Sequence, residues 1–341
     1  MGQQYVGIDL HKRRSVIVQV GGNGQRGFTK RVENSPTALV DAIAGVELPE
    51  VVLEATCVWY WAYDSLVDAG AKVHLANPSG LNWGQRRVKN DERDAQDLAD
   101  MLRLGRLPEA WPAPQKAREL RELVRYRAKL VCVRSGMRSQ VQGVLTKCGI
   151  VISRSKLWGA KSDATVEALA LSGPYKLRVA SLRALITAIG VEISALDDEI
   201  AMWMAGDVGY RAILAIKGIG PVLGAVFVAE IGDVNRFASA DRLCSWAGLT
   251  PKHRESDLSV HRGRITKQGS RLVRWAAVEA AQRQANGTKL RADFGRITAN
   301  HGDTAAARKI ARVAVARKIV TLVFYGLRDG TIRSWAIEQT A

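Results

Sequence analysis

Residues Pro108–Pro114 read Pro-Glu-Ala-Trp-Pro-Ala-Pro. Proline fixes φ and removes a backbone donor, so neither a helix nor a central strand runs through such a stretch. The chain is therefore cut into a front part and a rear part, and the two carry different patterns. In front, Tyr5–Leu10, Ser15–Val20 and Phe28–Val32 read as strands, with Gly21, Gly22 and Gly24 marking a turn. Thr37–Ala44 reads as a helix started by Ser35-Pro36. The short run Val51-Val52-Leu53 reads as a buried strand ending on Glu54. Trp59–Ala69 follows as a helix, Val73–Ala76 as a strand and Asp91–Leu104 as a helix closed by Gly105. Strands followed by alternating helices and strands predict an α/β layer architecture.

Behind the prolines the period changes. Leu123, Leu130, Met137 and Val144 recur every seven residues, and Leu182, Leu185, Ile189, Ile193, Leu196, Ile200 and Trp203 step by threes and fours. Both series predict long amphipathic helices that pack on each other or on another subunit. Gly190 interrupts the second at a cost of about 1 kcal/mol relative to alanine. Arg127, Arg134 and Arg138 depart from a pure coiled-coil seam and suit a phosphate backbone equally well. From Tyr210 the pattern is helix, Lys217-Gly218-Ile219-Gly220, helix, the form of a helix-hairpin-helix, in which glycines let backbone N–H groups approach a phosphate. A tight turn between core helices uses glycine too. The expected division is 1–108, an α/β domain; 109–207, long helices for linking or oligomerisation; and 208–341, a mostly helical domain.

The 341 residues carry a formal charge of +17, unevenly spread. Residues 1–108 balance at 13 basic and 13 acidic side chains, whereas residues 251–341 hold 18 against 7. That surplus points to a polyanionic partner, above all nucleic acid, facing the C-terminal third. Four cysteines without a CxxC pair exclude a zinc-ligand pattern and fit a reducing cytoplasm. The start, MGQQYVGIDLHK, has no apolar signal core, and the apolar stretch Pro221–Ala229 stops at Glu230, short of a membrane span. No membrane partner is expected.

Asp9 and Glu54 each end an apolar strand, where an unpartnered acid is costly. Asp91 and Asp94 follow at i, i+3 on a helix and share roughly one side of it. Taken singly, the helix pair reads as a solvated first turn complementing the dipole, and the strand acids as salt-bridge partners. Taken together, four carboxylates from two strands and one helix suit a pair of divalent ions that activate an attacking oxygen and stabilise a leaving one. Magnesium, with its preference for oxygen ligands and phosphate substrates, fits such a set, and Mn2+ is the alternative. His11 follows Asp9 by two residues and suits either phosphate positioning or a surface role.

These residues, within Gly7-Ile8-Asp9-Leu10-His11-Lys12, Leu53-Glu54-Ala55-Thr56 and Lys89-Asn90-Asp91-Glu92-Arg93-Asp94-Ala95, resemble a known family. The chain resembles the DEDD transposases of small bacterial insertion sequences, relatives of the Piv-type DNA invertases. The resemblance implies a RuvC-like, ribonuclease-H-like N-terminal domain with Asp9, Glu54, Asp91 and Asp94 as its four acids. It continues through Lys217–Gly220, Glu230-Ile231-Gly232-Asp233, Arg236-Phe237, Gly248-Leu249-Thr250-Pro251, Ser256 and Lys267-Gln268-Gly269-Ser270-Arg271 with Arg274. Asp257 stands where the family usually has glycine after the serine, and Asn90 where it usually has threonine.

By this resemblance Ser256 is the nucleophile, surrounded by Arg254, Arg262 and Arg264, while Lys217, Gly218, Gly220, Lys267, Arg271 and Arg274 contact nucleic acid. A serine hydroxyl needs a base or metal to attack, and nearby cations stabilise charge on a phosphoryl group. The implied partners are DNA, a structured guide RNA encoded by the element and further copies of the chain, as a dimer or tetramer. The implied place of action is the bacterial cytoplasm, at the nucleoid. Two rival functions follow from the same residues: a hydrolytic nuclease or junction resolvase using only the four acids, and a non-catalytic nucleic-acid-binding protein.

Overall fold

The computed structural model describes residues 3–81, 90–159, 162–256 and 259–332; the side chains at 162–163, 254 and 260–262 lie outside that description. Two compact units, Met1–Ala113 and Pro114–Ala341, make up the chain.

In the first unit β1 (Gln4–Leu10) and β2 (Arg14–Gly21) pair antiparallel, from Gln4 opposite Gly21 to Leu10 opposite Ser15. β3 (Arg26–Glu33) adds antiparallel to β2, and β4 (Glu50–Glu54) lies parallel on the other side of β1. β5 (Lys72–Ala76) runs parallel to β4. A two-residue strand, β6 (Glu109–Ala110), closes the sheet antiparallel to β5, giving the order β3-β2-β1-β4-β5-β6. The proline-rich segment thus contributes an edge strand, where a missing N–H is tolerated, and the unit ends at Ala113 rather than at residue 108.

Alternation along β1 distributes the helices. Val6, Ile8 and Leu10 face one layer with α1 (Pro36–Ile43) and α2 (Trp59–Asp68). Ser35 caps α1, accepting the Ala38 N–H at 3.0 Å. The opposite face, with Val16, Val18 and Val20 of β2 and Val52 of β4, takes α3 (Asp91–Arg103) through Ala95, Ala99 and Leu98. This is an α/β layer domain, as the succession of strands and helices predicts.

The second unit opens with two long helices, α4 (Gln115–Lys147) and α7 (Gly173–Met204), with the short α5 (Arg154–Trp158) and α6 (Ser162–Glu167) between them. Arg127 pairs with Asp197 near one end, and Arg178 reaches Gln140 near the other, so the two helices run antiparallel. Val141, Val144 and Leu145 of α4 bury against Leu157, Val179, Leu182 and Ile186. The arginines off the expected seam are absorbed by this packing. Arg127 donates to Asp197, Arg138 lies 5.0 Å over the Trp158 ring, and Gly190 opens the space beside Arg134. By length and composition α7 could cross a membrane, with a mean hydropathy of 1.7 over its most apolar window. Its apolar residues are spaced among polar and charged ones, whereas Pro221–Ala229 is a contiguous apolar run.

Behind α7 come α8 (Val208–Leu214), α9 (Pro221–Ile231), α10 (Ala240–Trp246), the ribbon β7 (Pro251–Ser256) and β8 (Ser259–Ile265), α11 (Arg271–Gln282), α12 (Lys289–Asn300) and α13 (Ala305–Asp329). Ile213, Phe227, Leu243, Ala277, Val320 and Val323 form the centre of this core, which also takes in Leu120 and Val124 at the start of α4. The described part of this unit is thus mostly helical.

Candidate active site

Ile8 faces Leu53 in the parallel pairing of β1 and β4, so Asp9 and Glu54 come next on adjacent strands, at their C-terminal ends. Gly7 and Asp9 share the face that carries α3. A Cβ on Gly7 would stand 1.8 Å from the Ala95 carbonyl oxygen and 2.9 Å from the Ala99 nitrogen. Glycine at this position therefore lets the α3 backbone lie directly on β1, which brings the first turn of α3 to Asp9. Asn90 caps that helix, accepting the Glu92 N–H at 3.0 Å, and so sets Asp91 and Asp94 on its opening turn. Arg26 and Arg31 of β3 hold Glu92 at 3.0 and 2.8 Å, which leaves Glu92 facing away from the cluster as an ion-pair partner.

Asp9 is buried, Glu54 half-buried, Asp91 exposed and Asp94 buried. His11 Nε2 lies 3.1 Å from Asp9 Oδ2 and 3.4 Å from Asp91 Oδ1. Asp9, His11 and Asp91 each offer a ligand atom, all within 4.8 Å of one another. Such a set of two carboxylates and an imidazole can hold a divalent cation. Glu54 and Asp94 stand outside this ligand-sized group, although the same strand end and the same helical turn carry them. His11, open to two readings in the sequence, thus sits between the acids. The signal for it was its i+2 spacing from Asp9.

In the second unit Ser256 is exposed, and it ends β7 paired with Ser259, whose hydroxyl donates to the Ser256 carbonyl at 2.9 Å. The segment around it is a two-stranded ribbon. Asp257, Lys89 and the side chains of Arg254 and Arg262 lie outside the described residues. Arg264, Lys267 and Arg271 are exposed. Arg274 is engaged inward: its Nη1 donates to the carbonyls of Ala247 at 2.9 Å and Gln268 at 2.5 Å, and desolvation lowers its pKa, with Arg271 adding to the effect. It braces the two turns, 247–249 and 267–269, that flank the ribbon.

The glycines at 218 and 220 serve different ends. Gly218 has φ +89°, and a Cβ there would stand 2.5 Å from the Ala280 carbonyl oxygen. Gln284 fixes this contact, donating to the carbonyls of Lys217 and Ala280. Gly218 is thus accounted for by packing on α11. Gly220, by contrast, is exposed at the start of α9 with open space around it.

A buried acid that the sequence did not mark as ion-paired, Glu230, ties this unit together. Arg125 of α4 donates to it at 2.7 and 3.2 Å, and Ser270, the cap of α11, donates to it at 2.9 Å. Arg236 nearby packs over Phe237 at 4.1 Å and Trp246 at 4.9 Å, and desolvation lowers its pKa to about 10.

Comparison with known proteins gives two family matches in chain order. Residues 6–150 match the DEDD transposase family of IS110-type elements, and residues 210–294 match the transposase IS116/IS110/IS902 family. The transposase-named protein y4qE of Sinorhizobium fredii is 27% identical over 286 residues, 82% of this chain and 71% of that one. The transposase for insertion sequence element IS1328 of Yersinia enterocolitica is 24% identical over 91% of this chain and 95% of its own length. That for IS1111A of Coxiella burnetii is 21% identical over 84% and 79%. Among solved structures, T. thermophilus RuvC in complex with Holliday junction substrate matches 32% of this chain and 99% of that one, at 13% identity and a TM-score of 0.23. The two family matches and the relatives that align along most of its length place the chain in the IS116/IS110/IS902 family of insertion-sequence transposases, enzymes of DNA recombination.

Proposed function

We propose that this chain cuts, exchanges and rejoins DNA strands at the ends of an insertion sequence, with the acids of its first unit and Ser256 of its second acting on one phosphodiester. The observation that carries this reading is the convergence of Asp9, His11 and Asp91 at the end of β1, made possible by the seating of α3 on Gly7. The donor set fits a hard divalent ion, and Asp9, Glu54, Asp91 and Asp94 would hold magnesium or manganese there. A bound ion supplies Lewis acidity and charge neutralisation for phosphoryl transfer.

The chain's own groups do the rest. The Ser256 oxygen bonds to phosphorus as its proton passes to water, the bond from phosphorus to one strand's bridging oxygen breaks, and that oxygen takes a proton from water and leaves as a hydroxyl. Reversal with a different strand's hydroxyl reseals the backbone without an external energy source. Arg254 and Arg262 neutralise the phosphate, and Lys217 with the open start of α9 at Gly220 takes a neighbouring one in the manner of a helix-hairpin-helix. Arg271 extends the same basic surface. A structured RNA encoded by the element supplies sequence choice by base pairing, as in other guided systems.

Oligomerisation, as a dimer or tetramer, is supported by α7. That helix buries Val179, Leu182, Ile186 and Ile193 along one stripe while Leu177, Leu185, Val191 and Met202 remain exposed elsewhere on it.

The test compares two variants on supercoiled DNA carrying an element end, with Mg2+ present. Asp91→Asn and Ser256→Ala are both expected to lower strand cleavage by at least two orders of magnitude. Cleavage retained by Ser256→Ala and lost by Asp91→Asn would establish the hydrolytic nuclease instead.

A further inference from the structure

Between β8 and α13 lies an open cleft of about 1040 Å³. Arg264 and Lys267 line one side, Lys309, Arg317 and Lys318 the other, and among the described residues no acidic side chain lines it. The cations are not equivalent. Arg317 is paired with Asp241 at 2.9 Å and Lys318 with Asp293, so these two are already neutralised. Arg264, Lys267 and Lys309 make no ion pair with any described residue. The cleft thus presents three uncompensated positive charges over an apolar floor that includes Ile310, which is 48% exposed.

Lys267 adds an independent observation. Its φ is +57°, in the left-handed region that favours glycine, asparagine or aspartate. The backbone is held there by its own N–H, which donates to the Gly248 carbonyl at 3.1 Å, and by that of Thr266, which donates to the Thr250 carbonyl at 2.9 Å. The residues packed around this turn, Gly248 and Gly269, also have φ near +69° and are glycines. Position 267 carries a lysine where glycine would be the relaxed choice, and that lysine lines the cleft. A long cation kept in an unfavourable backbone conformation marks a functional demand on the side chain.

We infer that the β8–α13 cleft is a DNA-binding channel that grips the phosphates of a strand flanking the attack site, through Arg264, Lys267 and Lys309. This rests on the proposed function, because the ribbon whose base lines the cleft ends at Ser256. Pro251 lines the cleft, and five strand residues further on, about 17 Å at a typical rise, stands Ser256. A strand leaving the cleft along the ribbon reaches the serine within a few nucleotides. Among the described residues the cleft has no aromatic lining for base stacking, so the grip is on the backbone and indifferent to sequence. That indifference suits an enzyme whose sequence choice comes from elsewhere.

The test uses the full chain and three fluorescent probes of mixed sequence: a DNA duplex, its single strand and the matching RNA. Affinity is followed by anisotropy against salt. Lys309→Ala and Lys267→Gly are expected to lower the log–log salt slope for DNA by about 0.7–0.9 each, one phosphate contact apiece. Lys267→Gly suits the positive φ, so the fold is retained. Lys176→Ala, an exposed lysine on α7, serves as the control and keeps the wild-type slope. A photoreactive benzoylphenylalanine at position 310 is expected to crosslink DNA. Wild-type slopes in both cleft variants, alongside salt-dependent wild-type binding, would overturn the channel and leave the proposed function standing. Crosslinking to RNA in preference to DNA would overturn the assigned occupant. Absence of any salt-dependent DNA binding by the wild-type chain would overturn both.

Discussion

Gly7 shows how a residue without a side chain sets the chemistry of its neighbours. Nothing in the apolar run Val6-Gly7-Ile8-Asp9 distinguishes this glycine from one that merely weakens a strand. Its role emerges only when Ala95 lies against it, a contact between residues far apart in the chain. The acids were legible because buried strands ending on carboxylates are chemically costly. Gly7 was not, because what it avoids is a collision with a helix whose position no local pattern encodes. Gly7→Val is expected to destabilise the first unit by about 1–3 kcal/mol through overpacking. It should also weaken Mn2+ binding, measured by electron paramagnetic resonance, although no ligand is altered. Unchanged stability and Mn2+ affinity would show that α3 does not depend on this contact. Glu230 teaches the same lesson, since its partners Arg125 and Ser270 come from distant segments.

At the scale of elements, the regular pieces of the first unit were legible almost to their ends. Apolar runs bounded by a glycine turn marked β1 and β2, and the Ser35-Pro36 start signal marked where α1 begins. The ribbon β7–β8 was not, because its described side chains are mostly exposed and polar on both strands, so no apolar alternation marks it. The strand β6 was hidden by the prolines around it. Helices α12 and α13 are joined by a small ionic clasp. Asp293 receives hydrogen bonds from Lys318 and from Arg296, the latter at 3.0 Å, and these bonds hold its carboxyl below the usual carboxylate range. A depressed folded-state pKa contributes stability that is present above the ordinary aspartate value and lost as pH falls through the folded one. Asp293→Asn should therefore lower the melting temperature at neutral pH, with the gap to wild type closing in strong acid. A gap independent of pH would assign the effect to packing alone.

At the scale of the molecule, charge and chemistry divide between the two units. The first is electrically balanced and carries the acids, while residues 251–341 carry the basic surplus, the serine and the cleft. Under the proposed function, acids on one unit and a serine on the other would have to assemble around the substrate before reacting. The most direct measurement of this account is mass spectrometry of the protein after incubation with element-end DNA and Mg2+, followed by nuclease and protease digestion. The account predicts a nucleotide phosphate attached to the peptide that contains Ser256, present in the wild type and absent from Asp91→Asn. DNA cut by the wild type with no covalent adduct, or an adduct on a different residue, would contradict it.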